Sequence, residues 1–125
     1  MTRALVAEDD VAVREFVCRA LAHMGLAIDP VRDGLEALAA LSAHRYDLLV
    51  SDIVMPRMDG ITLALKVAKD WPDIPMILMT GYAHERRRAL NLDTLGAEVL
   101  TKPFTLDQIT GAVGRVLAAK PGIRS

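Results

Sequence analysis

A few residues in this chain have types and spacing suited to phosphoryl transfer onto a carboxylate. Glu8, Asp9 and Asp10 stand directly behind one apolar run, Asp52 behind a second, Thr80 at the end of a third, and Lys102-Pro103 behind a fourth. A carboxylate can form an acyl phosphate. A metal ion and an ammonium neutralise oxygens of the transferring group, and a hydroxyl donates to another of them. Each residue taken alone has a plainer explanation: Asp10 as a helix cap, Asp52 as a loop acid, Thr80 as a strand-end threonine, Lys102 as a surface lysine. Glu8 and Asp9 beside Asp10 are more than capping requires. Acids gathered at one place raise one another's pKa unless a cation lies among them, and a hard divalent ion such as Mg2+ takes oxygen ligands while keeping several waters.

The elements that must hold these residues alternate along the chain. Ala4-Leu5-Val6-Ala7, Leu48-Leu49-Val50 and Met76-Ile77-Leu78-Met79 are apolar without polar alternation, as in strands covered on both faces. Ala27 to Val31, with Pro30, and Ala97 to Thr101 contain polar members and suit strands nearer an edge. Between the strands, apolar residues recur at helical spacing over Val13 to Met24 before Gly25, Leu35 to Leu41, Ile61 to Val67 and Leu106 to Leu117, the last with Thr105 or Asp107 near its start. Ala83 to Leu92 is helical by composition but has a poor apolar stripe. Five strands and five helices in strict alternation predict an α/β fold: a doubly wound parallel sheet with helices on both faces. In such a sheet, ligands collect at the carboxyl ends of the strands, where the acids, the threonine and the lysine all fall.

Composition narrows the function. The 125 residues suit one domain, expected over residues 1–120 with a frayed tail over 121–125. A net charge of -1, from 15 basic and 16 acidic groups, gives no electrostatic case for nucleic acid or an anionic membrane. Cys18 is alone, Glu8 interrupts any leader-like apolar core, and no run approaches the ~18 apolar residues of a membrane span. A cytoplasmic protein is expected. His23, His44 and His84 are isolated, Met55, Met58, Met76 and Met79 suit packing, and Arg86-Arg87-Arg88 suits a solvated helix face or a partner surface.

Val6-Ala7-Glu8-Asp9-Asp10 with Arg14, Ser51 to Gly60, Met79-Thr80-Gly81 and Lys102-Pro103-Phe104 together resemble the receiver domain of two-component response regulators, the CheY-like, flavodoxin-like fold. The resemblance implies strand order 2-1-3-4-5 and a cis Lys102-Pro103 bond. It implies that Asp52 accepts a phosphoryl group from a histidine kinase or histidine phosphotransfer protein. Asp9 would ligate Mg2+ directly, Glu8 mainly through water and Val54 through its backbone carbonyl, with Thr80 as switch hydroxyl and Lys102 pairing with the phosphoryl group. The family's usual switch aromatic, three residues before the lysine, is Val99 here, which leaves Tyr82 as a candidate replacement.

Thr80 to Ala83, Asp52 to Pro56 and Val99 to Phe104 look like the CpdR group of stand-alone receivers, in which the unphosphorylated protein primes the ClpXP protease. That likeness implies a cell-cycle role with the ClpX unfoldase as partner. The alternative output is a CheY-like regulator of a motor or kinase, or a phosphate shuttle. No turnover enzyme is expected, only self-catalysed loading and loss of phosphate. A haloacid dehalogenase-type phosphatase would place a second acid two residues after the nucleophile, where this chain has Val54.

Overall fold

Strands without polar alternation must be buried on both sides, and the observed sheet places them accordingly. The computed structural model describes residues 1–81 and 97–119. Within them, β1 (Arg3–Ala7), β2 (Ala27–Val31), β3 (Leu48–Asp52), β4 (Met76–Thr80) and β5 (Ala97–Thr101) form one parallel sheet in the order β2-β1-β3-β4-β5. This is the expected order. Every residue of β3 and β4 is buried, as is all of β1 beyond Arg3, whereas β2 at the edge is half-buried and exposes Pro30. An edge tolerates proline because a ladder bond is missing there anyway.

Four helices lie within the described residues: α1 (Val11–His23), α2 (Gly34–Ala43), α3 (Gly60–Asp70) and α4 (Leu106–Ala119). The helix expected over Ala83 to Leu92 lies outside them, as do Tyr82, His84, the arginine run and the tail. Each helix start is satisfied by a side chain. Asp10, Asp33 and Asp59 accept from the N–H groups of Val13, Glu36 and Thr62 at the heads of α1, α2 and α3. Thr105 and Gln108 bond reciprocally at the start of α4, so Thr105 rather than Asp107 is the cap. Past the end of α1, Gly25 takes φ +86°, a left-handed turn that favours glycine.

Two apolar layers sandwich the sheet. Ala4, Val6, Leu48, Val50, Ile77, Met79 and Leu100 face α1 and α4, while Leu5, Ala7, Leu49, Met76 and Leu78 face α2 and α3. Gly111 and Gly114 weaken α4 by propensity, and the burial of Ile109, Ala112, Val113 and Val116 compensates. At the head of α3, Gly60 is pressed against the Asp52 carbonyl and has no room for a Cβ atom. Gly60→Ala is expected to destabilise the protein by about 1–3 kcal/mol through overpacking, read as an earlier urea midpoint. An unchanged midpoint would show that this junction yields freely.

Candidate functional site

Side chains alternate along a strand, so the register decides which ones meet beyond its end. Ala4 and Val6 lead to Glu8, Leu48 and Val50 lead to Asp52, and Leu100 leads to Lys102, all in phase with the α1/α4 face. The three come together. Lys102 Nζ lies 2.8 Å from Glu8 Oε1 and 3.1 Å from Asp52 Oδ1, one ammonium shared by two carboxylates. The Asp10 N–H donates to the second Glu8 oxygen at 3.1 Å. Glu8 is fully buried and Asp52 is 6% exposed, while Asp9 is exposed. One oxygen from each of Glu8, Asp9 and Asp52 lies within 4.8 Å of the other two.

These carboxylates, Asp10, Val54, Gly81 and Lys102 line a hollow of about 410 Å³. Thr80 is not in that lining; it is 1% exposed at the end of β4 and its carbonyl accepts from the Lys102 N–H at 2.7 Å. Its phase along β4 is that of Met76 and Leu78, which belong to the opposite face. Asp10 caps α1, the plainer of its two sequence readings. Arg14 has no role that its sequence position alone assigns. In the structure its Nη1 donates to the Glu8 carbonyl at 2.8 Å, bracing the loop that carries the acids. The Lys102–Pro103 bond is cis, as the resemblance implies.

Burial sets the electrostatics. Desolvation pushes the Glu8 carboxyl up to about 6, against the hydrogen bonds from Lys102 and the Asp10 N–H, and Asp52 is raised for the same first cause. Burial disfavours the Lys102 charge, but the hydrogen bond to Glu8 and the field of Asp52 outweigh it and hold its pKa above the ordinary value. One ammonium among three close carboxylates leaves the hollow negative. An all-oxygen donor set beside a hollow wide enough for waters fits Mg2+.

The sequence model of the response regulator receiver domain matches residues 4–114. The chain belongs to the response regulator receiver family. This receiver is 34% identical over 115 residues to the response regulator MprA of Mycobacterium avium, covering 92% of this chain and 50% of that protein. The chain thus spans about half the length of the curated relatives it matches. Among solved structures it is similar to the response regulator TrrA of Thermotoga maritima in complex with Mg2+-BeF, with TM-score 0.82 and 33% identity over 93% of this chain and 99% of that one. It is also similar to the chemotaxis response regulator CheY4 of Vibrio cholerae, with TM-score 0.83 and 27% identity over 93% and 98% of the two chains. Among the described residues of this receiver, no helix is long and apolar enough to cross a membrane.

The raised Glu8 pKa has a definite sign for stability. A carboxyl that ionises at about 6 in the fold and near 4.5 when unfolded stabilises the folded state while protonated, and this contribution is lost as pH rises from 4.5 through 6. In metal-free protein, Glu8→Gln should therefore gain stability relative to wild type between pH 4.5 and 7. Urea unfolding of both proteins in chelator measures this, and a constant difference across that range would refute the shifted titration.

Proposed function

We propose that this receiver takes a phosphoryl group onto Asp52 from a phosphohistidine of a histidine kinase or phosphotransfer protein, and that phosphorylation reshapes a surface read by a partner protein. The observation that carries this is the meeting of Asp52 with Glu8, Asp9 and Lys102 around one open hollow. Glu8, Asp9, Asp52 and the Val54 backbone carbonyl are the residues that would hold Mg2+, which when bound neutralises charge on the phosphoryl oxygens. The Mg2+-BeF complex of TrrA supports this assignment.

In the transfer, an Asp52 carboxylate oxygen attacks phosphorus, the P–O bond forms as the P–N bond breaks, and the imidazole, protonated on its other nitrogen, leaves neutral. Lys102, already 3.1 Å from Asp52, turns its ammonium to a phosphoryl oxygen. Thr80 immediately precedes Gly81 of the hollow's lining, and its hydroxyl would reach another phosphoryl oxygen once the end of β4 turned it from the α2/α3 face toward the hollow. The protein loads and loses its own phosphate and turns over no other substrate. Its compartment is the cytoplasm, where a nucleotide-fed kinase would load it.

A second hollow, of about 480 Å³ and almost wholly apolar, shares Lys102 with the first and is lined by Ala12, Val13, Phe16, Pro103 and Phe104. Phe16 is half-exposed and its ring packs 6.0 Å from that of Phe104. A protein donor that brings its histidine to Asp52 covers this hollow, whereas a small donor does not. For output, the likeness to the CpdR group supports a stand-alone regulator whose unphosphorylated form binds the ClpX unfoldase. The similarity to a chemotaxis response regulator supports the alternative of a motor- or kinase-directed regulator or a phosphate shuttle.

Mg2+-dependent labelling by acetyl phosphate should be abolished in Asp52→Asn; labelling that survives the substitution would reject Asp52 as acceptor. Phe16→Ala should slow transfer from a protein donor roughly tenfold, the equivalent of about 1.4 kcal/mol at one interface anchor, and leave acetyl phosphate labelling unchanged. Equal slowing with both donors would show that the apolar hollow is not the donor's seat. Binding of purified ClpX to the unphosphorylated form alone would separate the two outputs.

A further inference from the structure

The loop between β3 and α3, which carries Val54, contains a backbone conformation unusual for a long side chain. Arg57 has φ 69°, the left-handed region that long side chains rarely enter. Such a conformation persists where its surroundings over-determine it. Here they do. Arg57 Nε and Nη2 both donate to Asp33 Oδ2, at 3.0 and 2.7 Å, while the other Asp33 oxygen accepts from the Glu36 N–H at 2.9 Å and caps α2. Asp33 is 5% exposed, so the pair is anchored in the protein body at its acidic end.

The same seam is closed one residue further along. A Cβ on Gly34 would lie 2.7 Å from the Met58 carbonyl oxygen and 2.8 Å from Met58 Cβ, so the loop rests directly on the first turn of α2. At its ends the loop is held by the Ile53 N–H bonded to the Met79 carbonyl at 3.0 Å and the Gly60 N–H bonded to the Ile53 carbonyl at 2.8 Å. Val54, 46% exposed, lies between these restraints on the wall of the acidic hollow.

We propose that the Asp33–Arg57 pair is a positioning device for the cation site. By strapping the β3–α3 loop to the head of α2, it holds the Val54 backbone at the hollow, and Mg2+ affinity depends on an ion pair that touches neither the ion nor the phosphoryl group. The inference rests on the reading that Glu8, Asp9, Asp52 and the Val54 carbonyl hold the ion. Groups that orient metal ligands from outside the coordination sphere commonly matter to affinity by an order of magnitude or more.

Simple electrostatics makes a different forecast, which gives the test its discrimination. Removing the Arg57 charge would strengthen binding of a cation, and removing the Asp33 charge would weaken it. Positioning requires both to weaken it. Mg2+ titrations by calorimetry on wild type, Arg57→Asn, Asp33→Asn, the double variant and Arg57→Lys decide the matter. Asparagine tolerates the left-handed backbone and, at position 33, keeps an oxygen for the cap, so the variants remain folded; thermal midpoints in chelator check this. The expected result is roughly tenfold weaker binding in each single variant, no further loss in the double variant, and partial recovery with Arg57→Lys. Unchanged or tighter binding in Arg57→Asn, or additive losses in the double variant, would overturn the inference while leaving the site assignment intact. A wild type that takes up no Mg2+ would overturn the site assignment and the inference with it.

Discussion

The ammonium of Lys102 between the carboxylates of Glu8 and Asp52 is the contact on which the site's architecture depends. Two acids this well buried lose hydration, and neighbouring carboxylates add repulsion, Asp52 acting on Glu8 and Asp9 on Asp52; both effects push them toward the protonated state. Lys102 offsets part of that cost and leaves the rest, which is why Glu8 titrates near 6 and Asp52 is also raised. The negative charge that remains favours a cation at the site. A fully neutralised cluster would have little affinity for one.

Holding that cluster requires a rigid frame, and the sheet supplies it. β1 and β3 are adjacent central strands between which the strand order reverses, so their carboxyl ends diverge into opposite layers and open a crevice. Buried residues on both faces fix their positions. The loops add local clamps: Arg14 on the Glu8 carbonyl, Asp59 and Gly60 at the head of α3, and Arg57 on Asp33 at the head of α2. Each clamp uses a backbone group or a capping side chain, so none of them takes up the carboxylate oxygens of Glu8, Asp9 or Asp52.

Much of this was legible in the chain because burial leaves a period in the sequence. Runs such as Leu48-Leu49-Val50 suit a strand covered on both sides, and the weaker runs around Pro30 and Val99 fall at the two edges, β2 and β5. The phase of each run also holds at and past the strand's end: Asp52 closes β3, Glu8 and Lys102 follow β1 and β5, and all three continue the alternation of the residues facing α1 and α4. Helix caps were partly readable, since Asp10 and Thr105 precede apolar stripes. Asp33 has capping-box spacing to Glu36, but no long apolar stripe follows it to mark a helix start.

The sequence by itself determined the class of fold, the strand ends that carry chemistry and the kinds of residue there, because residue type and periodicity are local properties. Tertiary structure alone decided which charges share which partner. Lys102 reaches Glu8 across 94 residues of chain, and Arg57 reaches Asp33 across 24. It also decided that Thr80 stands behind the rim of the hollow and not in its wall, since strand phase turns it to the other face. Contacts between distant segments depend on register and layer packing, and no local pattern encodes those distances.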